Sequence, residues 1–153
     1  MTAPSERLAA LGLTLPPVAP PQAAYVPALR TGNYVYVSGQ LPIVDGKLQA
    51  TGKVGDAVSA EEAAALARVC ALNGLAAAAS AAGGIDAISR VVKVVGFVAS
   101  VPSFTGQPAV INGASEFFIE VFGEAGRHAR SAIGVAVLPL DTPVEVELIV
   151  EVA

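Results

Sequence analysis

The residues best placed for chemistry lie near the end of the chain. Arg130 follows a glycine-bearing loop and leads into an apolar stretch, residues 131–138. Glu145 and Glu147 stand two residues apart in a second such stretch, residues 144–152. A spacing of two puts both carboxylates on one face of a strand. If the two stretches pair as a hairpin, Arg130 can approach Glu145 or Glu147. Such a meeting is either a structural ion pair across strands or an anion site. In an anion site the guanidinium fork takes a carboxylate, and a neighbouring Glu orders or deprotonates water.

Other chemistries find little support. There is one His and one Cys, with no His/Cys/Asp grouping at ligand spacing, so no metal is expected. Val37-Ser38-Gly39-Gln40 sits in a strand pattern and is no nucleophile elbow. No phosphate-binding glycine loop is present, and Gly83-Gly84 reads as a helix stop. Cys70 lies midway along an alanine-rich segment and reads as a small buried apolar residue. His128, beside glycines, reads as a solvated loop residue.

Composition narrows the class. The chain has 153 residues, 54% apolar and 14% charged, with net charge −4. Disorder is excluded by that balance. Thirty alanines contribute much of the apolar share and little area each. The nine cations are scattered, so no nucleic-acid partner is expected. No run of about 18 purely apolar residues occurs, so no membrane span is expected. Glu6 and Arg7 interrupt the place of a signal-peptide core, and one lone cysteine fits a reducing cytoplasm.

These residues need elements to hold them. Pro16, Pro17, Pro20 and Pro21 divide the chain into a short helix with its linker (1–21) and a main domain (22–153). Ser5 is the expected N-cap of that first helix, over 5–11. Gly32-Asn33 joins two strands as a hairpin, and Asp45-Gly46 turns a second. Ser59 and Glu62 form a capping box for a helix to residue 82. Its apolar face runs through Ala63, Leu66, Val69, Cys70, Asn73 and Ala77. A valine-rich strand over 90–100 and a helix over 108–122 follow, with Ile111, Phe118 and Phe122 on one face. Two helices cover one side of such a sheet. Val91, Val95, Val135, Val137, Val144 and Val146 suggest a second apolar face, which another subunit would bury.

Residues 34–42, Tyr-Val-Tyr-Val-Ser-Gly-Gln-Leu-Pro, resemble the S-G-Q-(I/L)-P signature of the Rid family, the RidA/YjgF or L-PSP endoribonuclease group. Residues 130–139, Arg-Ser-Ala-Ile-Gly-Val-Ala-Val-Leu-Pro, with Val144-Glu145-Val146-Glu147, are similar to that family's R-S-x-V-x-V-x-x-L-P…V-E-(I/V)-E ending. Asn112 and Phe117-Phe118 match its N…(F/Y)-F helix. The likeness runs from Tyr25 to Val152. The added N-terminal helix and longer middle place it in a branch outside the RidA type.

The resemblance implies an α+β, chorismate-mutase-like fold of βαβ type. In it a mixed sheet carries two helices on one face. It further implies a homotrimer, with active sites in clefts between subunits. RidA itself hydrolyses enamines and imines such as 2-aminoacrylate to 2-keto acids and ammonia, without a cofactor. Arg130 matches the arginine that binds the substrate carboxylate. Glu145 matches the glutamate assigned to water activation or proton transfer. Tyr25, Ser38 and Asn112 align with residues lining the cleft. Ala132 stands where RidA-type members often carry Cys, whose backbone N–H meets the substrate. The expected function is an enamine/imine deaminase-type hydrolase of a small carboxylate metabolite. A non-catalytic trimer that binds small keto acids is the alternative. A ribonuclease, suggested by the older family name, fits poorly with the acidic balance and the lone His128.

Overall fold

Alternation of two and of three to four along the apolar residues yields a sheet with helices on one side. In the computed structural model, which describes residues 2–18, 20 and 23–153, the chain runs α1 (Pro4–Ala10), β1 (Ala28–Thr31), β2 (Tyr34–Gln40), β3 (Ile43–Val44), β4 (Lys47–Leu48), α2 (Ala60–Ala82), β5 (Ile88–Ala99), α3 (Gln107–Phe122), β6 (Ala129–Val135) and β7 (Val144–Val152). The expected domain boundary at residues 21–22, Pro21 included, lies outside the described residues.

Local signals hold where the chemistry is local. Ser59 Oγ accepts from the Glu62 N–H at 3.1 Å and starts α2. Gly83, at φ 91°, ends it in the left-handed region. Gly32-Asn33 and Asp45-Gly46 turn the two hairpins, β1–β2 and β3–β4. Ser5 departs from its expected role. The N-cap of α1 is Ala3, and Ser5 gives both its backbone N–H and its hydroxyl to Asp86. The side chain that would close its own helix instead ties α1 to the turn after α2. Leu8 of α1 is buried in the common core.

The five-stranded sheet has the order β1-β2-β7-β5-β6. All its pairs are antiparallel except β5–β6. This corrects the expected hairpin. β6 and β7 are neighbours in sequence, yet β5 lies between them and pairs with both. A parallel neighbour for β5 needs a crossover, and α3 supplies it.

α2 and α3 cover one face. Ala63, Ala67, Cys70, Ala71, Gly74 and Ala77 form the buried stripe of α2, while Leu66 and Val69 are only partly covered. Small residues let the helix lie close: a Cβ on Gly74 would come within 2.8 Å of Leu148 on β7. Gly113 on α3 meets the Ala64 carbonyl of α2 with no room for a side chain. By length and composition α2 is apolar enough to cross a membrane, but here it is the central helix of the core.

The second sheet face is mixed, not continuously apolar: Lys93, Glu145, Glu147 and Glu151 share it with apolar residues, and those differ from the ones expected. Val91, Val144 and Val146 are fully buried in the core, and Val137 is 70% exposed beyond the end of β6. The uncovered face carries Leu29, Tyr36 and Ile149 in one row and Phe97 and Ile133 in another. Tyr34 and Val95 stand on the same face, and Leu29, Tyr34, Tyr36 and Ile133 are exposed.

Candidate active site

Arg130 is the second residue of β6 and faces α3. Its Nη1 donates to Asn112 Oδ1 at 2.8 Å and to Ser115 Oγ at 3.2 Å, and Nη2 donates to the Pro108 carbonyl at 3.4 Å. A guanidinium has five N–H donors in a rigid fork. Both Nη1 hydrogens and one on Nη2 are committed, so the Nε hydrogen and one Nη2 hydrogen have no partner among the described residues. That edge matches the two oxygens of a carboxylate. No carboxylate among the described residues occupies it: their ion pairs are Lys53–Asp141, Arg68–Glu120 and Arg127–Glu124.

His128 supports this arrangement from behind. Its Nδ1 lies 2.6 Å from the Gly126 carbonyl, which only accepts, so the ring proton belongs on Nδ1. Nε2, 2.9 Å from Ser115 Oγ, then accepts the serine hydroxyl. With its hydrogen so directed, Ser115 turns a lone pair to Arg130. His128 is therefore half-buried and bonded at both nitrogens, not a solvated loop residue as its glycine neighbours suggested. Burial pushes its pKa below the ordinary value, Arg130 adds to the effect, and the Gly126 bond opposes it.

Glu145 belongs to a different neighbourhood. It lies on the β7 face opposite Val144 and Val146, and packs against Gly39 of β2. A Cβ on Gly39 would stand 2.8 Å from Glu145 Cδ. Burial raises the carboxyl pKa from its usual range, and Glu147 on the same strand face raises it further. The side chain borders a cavity of about 310 Å³ that also meets Tyr25, Leu41, Ile43, Asn73 and Leu140. Asn73 gives its amide hydrogens to the Leu41 and Ile43 carbonyls and so shapes the wall.

The remaining expected residues divide between the two neighbourhoods. Ser38 donates its hydroxyl to the Val26 carbonyl at 2.6 Å, and its N–H bonds the Pro27 carbonyl. It thus pins the segment that carries Tyr25 to the cavity. Asn112 orients Arg130. Ala132 follows Arg130 by two on β6, opposite Gly96, and packs against the core. Cys70 is buried, with its thiol pushed well up by burial and by the nearby Glu145 charge. No His/Cys/Asp/Glu group among the described residues is arranged to hold a metal.

Arg130 and Glu145 therefore do not meet within one chain. β5 separates their strands, roughly 10 Å at the usual strand spacing, and they leave opposite faces of the sheet. Arg130 stands opposite Val94 of β5, while Glu145 stands opposite Phe97. Sequence reasoning missed Ser115, Gly39 and Leu140. Ser115 was detectable as the residue one helical turn beyond Asn112.

Residues 5–152 match the family described as "YjgF/chorismate mutase-like, putative endoribonuclease". The chain belongs to the YjgF/Rid family. Protein TCP17 of Trypanosoma cruzi is 46% identical over 142 residues, covering 92% of this chain and 89% of that protein. The crystal structure of Atu1372, a protein of unknown function from Agrobacterium tumefaciens, is 48% identical, with a TM-score of 0.90 over 98% of this chain and 92% of that one. A Shewanella oneidensis structure described as a putative endoribonuclease is 34% identical, with a TM-score of 0.95 over 99% and 100%. The YjgF fold expected from the motifs is thus the fold observed, and the chain lies in a branch outside the RidA type, as its likeness to the Atu1372 and Shewanella structures shows.

Proposed function

We propose that the protein is an enamine/imine deaminase-type hydrolase of a small carboxylate-bearing metabolite, working as a homotrimer. One observation carries the reading. A carboxylate-ready guanidinium edge and a protonatable Glu145 stand on opposite faces of one sheet, each lacking what the other offers. A cleft between copies would join Arg130 of one chain to Glu145 of the next, and the uncovered face bearing Leu29, Tyr36 and Ile133 offers apolar surface for such packing.

In that cleft Arg130 holds the substrate carboxylate, and Glu145, whose burial and Glu147 neighbour favour the protonated form, donates to the imine nitrogen. The resulting carboxylate takes a proton from water as the oxygen bonds to the imine carbon. Glu145 then protonates the amino group, the C–N bond breaks and ammonia leaves. The hydroxyl proton returns to Glu145 and leaves a 2-keto acid. Positioning with acid–base help of about 10²–10⁴-fold is sufficient for so reactive a substrate. No cofactor enters these steps.

The test measures ammonia and keto-acid release from an imine generated in situ, wild type against Arg130→Ala. Equal rates would sink the proposal. Mixing and co-refolding inactive Arg130→Ala and Glu145→Gln chains tests the shared site: random cyclic assembly restores about a quarter of the sites. No recovery would place both residues of a working site in one chain. A second reading, a keto-acid-binding trimer without turnover, draws on Ala132 in place of a thiol. It predicts thermal stabilisation by small carboxylates with no imine hydrolysis.

A further inference from the structure

The connection from β6 to β7 holds a leucine where glycine or asparagine is usual. Leu140 (φ 58°, ψ 18°) and Asp141 (φ 58°) both adopt the left-handed conformation. A bulky side chain there is uncommon, and such outliers persist where the surroundings enforce them and the site uses them. The surroundings here are specific. Lys53 Nζ bonds Asp141 Oδ1 at 2.7 Å, the Gly52 N–H bonds the Asp141 carbonyl at 3.0 Å, and the Asp141 N–H closes back on the Leu138 carbonyl at 3.1 Å. The result for Leu140 is not burial: its side chain is 62% exposed. It lines the cavity of about 310 Å³ that Glu145 borders.

That cavity is mostly apolar. Pro27, Leu41, Ile43, Pro139 and Leu140 supply walls, and Glu145 is its one charged group among the described residues. It contains no cation, so it does not suit the substrate's carboxylate, which belongs with Arg130. It suits the substituent at the other end of the reacting carbon. We infer that Leu140, held left-handed by Asp141 and Lys53, is a specificity-determining residue that selects substrates with a branched aliphatic or aromatic side chain over those with a methyl group. A cavity of about 310 Å³ far exceeds a methyl group and is at the lower end of small-molecule sites. The inference rests on the hydrolase reading for its kinetics, but its binding component stands without turnover.

Imines are generated by an amino-acid oxidase from leucine, phenylalanine and alanine, and kcat/KM is compared across them. Wild type is expected to favour the leucine-derived imine over the alanine-derived one by at least about tenfold, as three extra buried carbons allow. Leu140→Ala lowers that ratio about fivefold or more, chiefly through KM, and Leu140→Met retains it. A wild-type preference for the alanine-derived imine, or a ratio unmoved in Leu140→Ala, overturns the inference. If no imine is turned over, the hydrolase reading fails. Calorimetric titration with 4-methyl-2-oxopentanoate and pyruvate then decides the pocket. Tighter binding of the branched acid by about tenfold, lost in Leu140→Ala, supports it. Equal affinities, or no binding of either, refute it.

Discussion

Gly39→Ala isolates the placement of Glu145 from its presence. Gly39 sits in strand β2 without a positive φ, so its backbone conformation suits alanine. The added Cβ would meet Glu145 Cδ at 2.8 Å, Oε1 at 3.0 Å and Cγ at 3.1 Å. Carbon atoms rest about 3.5–4.0 Å apart, so the carboxyl must retreat by roughly 0.7–1.2 Å. Glu145 is half-buried and its end is flexible, so the fold gives way cheaply. The expected stability loss is under about 1 kcal/mol, a fall in Tm of about 2–4 °C at most. A displacement near 1 Å costs roughly 10²-fold in a positioned reaction. The expected result is thus about a hundredfold fall in kcat for imine hydrolysis with nearly unchanged thermal denaturation. In a Glu145→Gln background the same alanine should lower kcat no further, because the two changes act through one carboxyl. A Gly39→Ala enzyme within about threefold of wild type would refute the assignment of Glu145 as a positioned acid–base, given the cost that placement should carry. So would additive losses in the double variant.

Three further expectations concern stability. The folded pKa of Glu145 is raised, mainly by burial, so the native state holds its proton more tightly, and the associated stability is lost as pH rises above the ordinary value of 4.5. Glu145→Gln should therefore stabilise the protein at neutral pH while lowering turnover about 10²–10⁴-fold, and thermal scans from pH 4 to pH 8 should show the gap widening with pH; a constant gap contradicts the desolvation argument. The His128 pKa is lowered, mainly by burial, so the unfolded chain protonates first and stability falls as pH drops below the ordinary 6.5. Urea titrations at pH 7 and pH 5 should show a smaller acid loss in His128→Gln than in wild type, and identical losses would mean the ring stays solvated. Gly113→Ala would drive a methyl group into the Ala64 carbonyl and force α2 from α3, at a cost of about 1–3 kcal/mol. A melting temperature within a degree of wild type would show that the helices part freely.

Much of the fold was legible because its signals are local. The Ser59 cap, the Gly83 stop, the two hairpin turns and the β7 limits arise from hydrogen bonds and backbone angles spanning a few residues. Ser5 misled for the same reason: an N-cap side chain is judged from its own turn, but Asp86, far along the chain, took the hydroxyl. His128 misled because its partner, Ser115, lies on another element. The motifs around Ser38, Arg130 and Glu145 carried no sign that Arg130 and Glu145 leave opposite faces of the sheet.

The sequence alone determined which main helices and strands form and, where a cap or turn is local, where they stop, as at Ser59, Gly83 and the two hairpin turns. Only the tertiary structure decided that β5 lies between β6 and β7, that Arg130 and Glu145 face opposite ways, and that Leu140 stands left-handed beside the Glu145 cavity. Strand order and facing are set by contacts between distant segments, chiefly the α3 crossover and the close seat of α2 on β7. Periodicity within one segment states that a strand has two faces, but the choice of neighbour belongs to the packed whole.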